Sequence, residues 1–312
     1  MSPSRKRARL AAAGVATTLA TLTTLVTAGS ASATTLNGSW APFSRCPVDD
    51  PAMLAADGAN VTDTCLTTHA SSGTIKLGNT TATTGVTDMQ FGVLSGSTVS
   101  LVSPSGGGLV ADPVKIPGGL LGLMCPSKVP VITQICQQLT DNTLNNVIAT
   151  VQPAGKPSDF DLSAGLGSGK PILTLPVKIH LQNPFLASTC TIGSDSNPIL
   201  LKPKNVTAPD TSFARFDGNG TPDPDNGDLL RIDLTGASVS DDSFAVPGAT
   251  GCGGLGLLDA AVNLKTGLPS AAGKNKLVLN SASTYLGGLY DPSSFAPTSG
   301  RKMSAFWHSA AR

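Results

Sequence analysis

The sequence predicts a mainly β protein: an antiparallel β-sandwich or barrel, stabilised by disulfide bonds and carrying short helical insertions. Three observations support this fold class. The 312 residues contain 34 Gly and 23 Pro but no glutamate, which is a main helix-forming residue. Several short segments alternate apolar and polar residues, as strands with one buried face do. The six cysteines are an even number in a chain that begins like an exported protein, which indicates disulfide bonds.

The first 33 residues have the three parts of a signal peptide. A basic region is followed by an Ala, Leu and Thr-rich core over 10–26 and by the small-x-small pattern Ala31-Ser32-Ala33. We expect cleavage after Ala33 and secretion to the extracellular space. Without the four basic leader residues, 17 Lys and Arg stand against 20 Asp, a net charge of −3. This charge excludes nucleic-acid binding through clustered cations, and no later apolar run is long enough for a transmembrane span.

The remaining chain is predicted to form one secreted domain over 34–290. Its opening segment, 34–73, is irregular and tied by a disulfide bond, and residues 291–312, rich in Pro and Ser, form a mobile tail. Six cysteines allow 15 pairings. Their grouping along the chain favours three sequential pairs: Cys46 with Cys65, Cys125 with Cys136, and Cys190 with Cys252.

Strands are predicted where a short segment of alternating apolar and polar residues is bounded by turn-forming Gly, Pro or Ser residues. The clearest alternation is over 171–182, where Leu, Val and Ile face one side and Thr, Lys, His and Gln face the other. The predicted strands are 74–77, 89–94, 98–102, 171–182, 230–235, 244–246 and 276–279.

Apolar residues spaced by threes and fours predict helical structure over 129–150, divided into two helices near Asp141. Cys125 must lie in the loop before it, because eleven helical residues would separate the Cys125–Cys136 pair by about 16 Å. A second short helix is predicted over 255–264. The Gly-rich segment 106–124 is predicted to cover the open end of the sheet, with contact to lipid or a partner as the alternative.

Four stretches of the chain resemble a family of secreted actinomycete proteins that is usually left uncharacterised: RCPVDDPAMLAADG, CPSKVPVITQICQQL, LPVKIHLQNPFLASTCTIGSDSNPI and GLPSAAGKN. The resemblance covers nearly all of 39–286. It implies secretion and a single compact unit, and it carries no catalytic residues. Some exported actinomycete proteins of about this size are labelled cholesterol esterases, which implies a secreted ester hydrolase acting on lipid esters as the alternative function.

A serine hydrolase needs a nucleophile, a base and an orienting carboxylate. The chain lacks the G-x-S-x-G motif, and the nearest candidate set is Ser196, His180 and Asp195, all within 17 residues. The serine and the aspartate precede Asn197-Pro198, a combination typical of turns. We therefore favour a turn beside a solvated histidine and assign no catalytic residue.

An acidic loop offers oxygen ligands at positions 1, 3, 5, 7, 9 and 12 of a twelve-residue window, a spacing that can surround calcium. These ligands are Asp217, Asn219, Thr221, Asp223, Asp225 and Asp228. Proline occupies position 6, where the EF-hand needs glycine, and position 12 is Asp rather than Glu. We favour a solvated turn and predict no cofactor, with calcium as the alternative.

Together these observations predict an extracellular or cell-envelope-associated protein without enzymatic activity, acting as a binding or structural module. The candidate partners are a cell-envelope lipid, a polymer or another extracellular protein.

Overall fold

The computed structural model describes residues 35–125, 130–138 and 142–311, which pack as one unit. The predicted signal peptide and its cleavage site lie outside these residues. Antiparallel strands dominate the structure and form two sheets, with short helices between them. The predicted fold class is therefore confirmed.

The larger sheet contains ten of the described strands. They are β1 (Thr62–Ala70), β2 (Ser72–Leu77), β3 (Thr80–Thr84), β4 (Thr87–Ser95), β5 (Val99–Val102), β6 (Leu109–Ala111), β12 (Lys204–Asn205), β13 (Asp210–Phe216), β14 (Leu229–Asp241) and β16 (Lys276–Leu289). The central order is β12-β14-β16-β1-β4-β5. In addition, β13 pairs with β14, β6 with β4, and the β2–β3 hairpin with β16.

The smaller sheet contains six of the described strands in the order β15-β10-β9-β8-β7, with β11 also paired to β9. These strands are β7 (Val114–Lys115), β8 (Ile148–Pro153), β9 (Leu175–Gln182), β10 (Thr191–Ile192), β11 (Ile199–Leu201) and β15 (Ala249–Thr250). Its apolar face packs on the larger sheet and forms the main core with it. The architecture is thus a sandwich.

The helices are short, and the last of those that the structure describes is the longest. They are α1 (Pro51–Leu54), α2 (Gly119–Met124), α3 (Pro130–Gln138), α4 (Asn142–Asn145), α5 (Leu162–Leu166), α6 (Leu257–Thr266) and α7 (Ser299–Ser309), with 3-10 turns at Gly38–Phe43, Gly254–Gly256 and Pro292–Phe295. Among the described residues, no helix is long and apolar enough to cross a lipid bilayer.

The larger sheet is covered on both faces. In β1, Leu66 faces the smaller sheet while its neighbour Cys65 faces the opposite side, as the two-residue period of a strand requires. On that outer side Gly287 lies beneath the ring of Phe43, where a Cβ atom would come within 2.7 Å of the ring. Glycine there lets the opening segment pack directly on the sheet. The outer core contains Trp40, Phe43, Cys46, Cys65, Leu229, Met303 and Trp307.

Three elements differ from the sequence prediction. The opening segment, predicted to be irregular, ends in β1, which pairs with both β4 and β16 at the centre of the larger sheet. The predicted helix over 129–150 ends early, since α3 and α4 are followed by β8, whose pairing with β9 overrides the helical spacing. Residues 244–246 form only an isolated bridge, between Val246 and Ser270.

The predicted mobile tail is also wrong for 292–311. Helix α7 packs on the outer face of the larger sheet, with Met303 and Trp307 on the same side one helical turn apart. Trp307 Nε1 donates a hydrogen bond to the Phe43 carbonyl at 2.8 Å. Ser304 Oγ and His308 Nε2 both contact the Asp49 carboxylate, at 2.7 and 2.9 Å. Both prolines of this segment, Pro292 and Pro297, lie before the helix, whereas three of its serines lie within it.

The three predicted disulfide pairs are present. Cys46 bonds Cys65, Cys125 bonds Cys136, and Cys190 bonds Cys252, and no free cysteine occurs among the described residues. Cys125 follows α2 and Cys136 lies within α3, so the second bond joins two helices rather than one.

A buried carboxyl group makes stability depend on pH. Asp63 of β1 is 3% exposed beneath the start of α7, and burial raises the pKa of its carboxyl group to about 6. The unfolded value is about 3.9, so the folded state holds this proton more tightly. Its contribution to stability is therefore full below about pH 4 and is lost as the pH rises through about 6.

We expect the parent protein to lose up to about 3 kcal/mol of unfolding free energy between pH 4 and pH 8 relative to the Asp63→Asn variant. Urea unfolding at the two pH values measures this difference. Asp242→Asn is the control, because that carboxylate is 60% exposed. Equal pH dependence in the parent and in Asp63→Asn would contradict the assignment.

Candidate functional site

A cavity of about 180 Å³ lies between the two sheets. Its wall is made by the inward-facing residues of the strands. In β16 the inward-facing residues are odd-numbered in the first half of the strand and even-numbered in the second half. Leu277 and Leu279 face inward in the first half, whereas Ala282, Thr284 and Leu286 do so in the second. The change occurs at a bulge, where the register with β14 shifts and the backbone adopts a positive φ. Both halves of this long strand therefore turn apolar side chains to the cavity.

The lining is almost entirely apolar. Of the 40 described residues that line it, eight have polar side chains, and Asp112 is the single charged residue among those 40. The polar eight are Thr68, Thr80, Thr84, Thr87, Asp112, Asn205, Thr266 and Thr284. Water in such a cavity would find few hydrogen-bond partners, and apolar cavities of about 150 Å³ stay dry and take up small apolar molecules. The chemistry of the wall thus suits an apolar ligand.

The wall of the cavity is extended. Forty of the described residues line it, and they come from both sheets. Along β16 alone the wall extends from Leu277 to Leu286, about 30 Å of strand at roughly 3.3 Å per residue. A compact ligand such as benzene would leave most of this wall without contacts, while an extended chain would meet it throughout.

One edge of the cavity is closed by α5. This helix begins at Asp161, whose carboxylate accepts hydrogen bonds from the Ser163 and Ala164 amides at 2.8 and 3.2 Å. Asn205 of β12 fixes the helix, because its Nδ2 donates to two backbone carbonyl groups of the 165–167 turn at 2.7 and 3.0 Å. Leu162 lines the cavity and is 39% exposed, so the cavity wall reaches the surface here.

The Gly-rich segment contributes a second cover. Leu120, Leu123 and Met124 of α2 are buried, and Leu123 lines the cavity. Gly119 has a φ of 56°, and a Cβ atom there would collide with the carbonyl oxygen of Asn145. This arrangement agrees with the predicted role of the segment as a cover for the end of the sheet.

The structure does not assemble the candidate triad. His180 Nε2 lies 2.9 Å from the backbone carbonyl oxygen of Ser188, and Asp195 accepts two hydrogen bonds from the Lys178 ammonium at 2.7 and 2.9 Å. The Ser196 hydroxyl lies 3.2 Å from that of the serine two positions before it. Each of the three side chains therefore has a different partner.

The acidic loop is a set of turns held by its own carboxylates. Asp217 Oδ1 accepts the amides of Asn219 and Thr221 at 2.9 and 2.8 Å. Asp223 Oδ1 accepts the amide of Asn226 at 3.0 Å. Such bonds are those of the turns that Asp favours.

The other two acidic residues of this loop use their backbone. The carbonyl groups of Asp225 and Asp228 accept hydrogen bonds from Arg215 Nη1 and the Tyr290 amide at 3.0 and 2.7 Å. In the part of the chain that the structure describes, no three His, Cys, Asp or Glu side chains are grouped as metal ligands.

Comparison with protein-family models, curated proteins and solved structures finds no match to this chain. The resemblance to secreted actinomycete proteins stays a prediction, and the site must be interpreted from its own chemistry. Sequence analysis missed the cavity itself. The feature of the sequence that corresponds to the cavity is a small residue at an inward-facing strand position, as at Ala149, Ala237 and Ala282. Only the strand pairing shows that these positions line the same cavity.

Proposed function

We propose that this chain is a secreted binding protein without enzymatic activity, whose ligand is an extended apolar molecule held between the two sheets. The cavity and its apolar lining carry this proposal. On the scale of about 24 cal/mol per Å³ for unfilled space, a void of this size costs about 4 kcal/mol. That cost is a large share of the 5 to 15 kcal/mol by which domains are typically stable. A ligand would recover it by burying apolar surface, at about 25 cal/mol per Å².

Of the three predicted partner classes, this cavity favours a lipid. A polymer chain or a folded protein would bind on the outer surface, whereas a lipid tail is narrow enough to lie between sheets. The ester hydrolase alternative also involves lipid esters, but Ser196, His180 and Asp195 each hydrogen-bond elsewhere. We therefore place lipid binding above lipid hydrolysis.

Ala149→Leu tests the proposal by filling the cavity. Ala149 lies in β8, is 7% exposed and lines the cavity. Titration of the parent protein with the neutral apolar dye N-phenyl-1-naphthylamine should show saturable fluorescence enhancement at one site. We expect Ala149→Leu to weaken this binding by about tenfold or more, equivalent to about 1.4 kcal/mol. Its melting temperature should be unchanged or higher, because the added side chain fills empty space.

The control is Ala260→Leu, which adds the same side chain at an exposed position of α6. Dye affinity should be unaffected by this change. Mass spectrometry of an organic extract of the purified protein provides an independent measurement, since a bound lipid should appear at up to one equivalent. If the parent protein shows no saturable dye binding, or if Ala149→Leu binds the dye as tightly, the proposal is wrong.

A further inference from the structure

We infer that the ligand is an amphiphile with a neutral, hydrogen-bonding head group, such as a hydroxyl or an ester, placed at one edge of the cavity. We call this the polar edge, and it consists of Thr80, Thr84, Thr87 and Asp112. The inference rests on the proposed function and specifies its ligand class. It follows from where the polar side chains of the lining lie, which of them already have partners, and what charge they carry.

Each polar lining residue away from this edge already has a hydrogen-bond partner within the protein. The hydroxyl groups of Thr68 and Thr284, on paired strands, lie 2.9 Å apart. Asn205 donates its side-chain amide to backbone carbonyl groups, and Thr266 Oγ1 donates to the carbonyl one turn earlier at 2.7 Å. A buried polar group that has a partner gains less from a ligand than one that has none. The central part of the cavity and its α5 edge are therefore suited to an apolar chain.

The polar edge is different. Thr80 and Thr84 face inward from alternate positions of β3, and Thr87 begins β4 beside them. No hydrogen bond joins any of these three hydroxyl groups to another described residue, and the Oγ1 atom of Thr84 is buried without a partner. This hydroxyl lies beside Gly73 of the paired strand β2, and another staggered rotamer of the side chain would turn it away from that strand. Unused donors and acceptors are thus concentrated at one edge.

The charge at this edge selects against an anion. Asp112 is exposed, and its carboxylate holds the β3–β4 turn by accepting the Val86 amide at 2.9 Å. In the described part of the chain, no Lys, Arg or His lines the cavity. Lys115 is close in sequence, but it projects from the other face of β7 and lines a separate surface depression. A carboxylate or phosphate head group would be desolvated beside a negative charge and without a counterion.

Competition against the bound dye tests this inference with ligands that share one sixteen-carbon chain. The probes are hexadecan-1-ol, hexadecanoate and hexadecane. At pH 8 we expect the alcohol to displace the dye and the carboxylate to compete at least about tenfold less well. The difference in competition between the alcohol and the acid should be smaller at pH 5, where more of the acid is protonated. Competition by the alcohol itself should not change with pH.

Two variants locate the head group. Thr84→Val replaces the hydroxyl by a methyl group of similar size and should weaken binding of the alcohol by about fivefold while leaving hexadecane unchanged. Thr83→Val, at an exposed position of the same strand, is the matched control. Asp112→Asn keeps an acceptor for the Val86 amide and removes the charge, so it should strengthen binding of the carboxylate alone.

The outcomes separate the inference from the proposed function. If none of the three ligands displaces the dye and the dye itself does not bind, the proposed function fails. If the carboxylate competes as well as the alcohol at pH 8, lipid binding stands and the neutral head group is refuted. The same conclusion follows if Thr84→Val and Thr83→Val bind the alcohol equally.

Discussion

Replacing Trp307 with alanine is expected to lower the free energy of unfolding by about 3 to 5 kcal/mol, the range for removing a buried aromatic side chain. The indole is 7% exposed and packs with Phe43 and Met303 in the outer core. It also donates its Nε1 hydrogen to the Phe43 carbonyl, which would be left without this partner. Urea unfolding followed by far-ultraviolet circular dichroism measures the loss.

Arg301→Ala is the control for this experiment. Arg301 is exposed on the same helix, and alanine has the higher helix propensity, so stability should change by less than about 0.5 kcal/mol. A similarly small effect of Trp307→Ala would mean that α7 does not dock in solution and that residues 291–312 behave as the mobile tail that the sequence predicts.

Removing the Cys190–Cys252 disulfide bond by changing both cysteines to alanine should cost about 4 kcal/mol. The bond closes a loop with a sequence separation of 62, and the chain-entropy relation gives about this value for a loop of that length. Both cysteines are fully buried in the main core. Their loss also separates the connection after β9 from β15, so the smaller sheet should be the first part to unfold. Guanidinium unfolding under non-reducing conditions measures the change in free energy.

The Cys125–Cys136 bond provides the comparison. Its sequence separation is 11, and the same relation gives about 3 kcal/mol. The double alanine variant at this pair should therefore be more stable than the variant at Cys190 and Cys252, although the melting temperatures of both should fall. The opposite order would show that local packing, rather than loop length, determines what these bonds contribute.

Much of the architecture could be predicted from the sequence, because it is encoded locally. The alternation over 171–182 predicts a strand with one buried face, and the structure shows that pattern over β9, Leu175–Gln182, although the first four predicted residues lie outside the strand. The order of the cysteines predicts the three disulfide pairs that are present. The missing glutamate and the abundant Gly and Pro predict a mainly β fold. The alternation and the Gly and Pro content express preferences of residues near one another in the chain, whereas the cysteines pair over separations of 11 to 62 residues.

The candidate site could not be predicted in this way. From the sequence, the set Ser196, His180 and Asp195 and a calcium loop were only alternatives to turns, raised because matching residue types lie close together in the chain. In the folded protein those side chains hydrogen-bond to nearer partners. The cavity instead combines residues from nearly every strand, and no short segment carries its pattern.

By itself, the sequence predicted the fold class and the approximate positions of the strongly alternating strands, and it favoured the sequential pairing of the cysteines among 15 possibilities. Tertiary structure alone decided the rest. The Thr-rich segment Thr62–Ala70 becomes a central strand because β4 and β16 pair with both its edges. Ile148–Pro153 becomes a strand against its helical spacing because β9 is available beside it, and Ser299–Ser309 docks because the opening segment provides an apolar surface. The cavity is lined by short side chains from both sheets, such as Ala149 and Ala282. All of these differences have the same physical reason. Burial and hydrogen bonding between distant segments outweigh local preferences of a few tenths of a kcal/mol per residue.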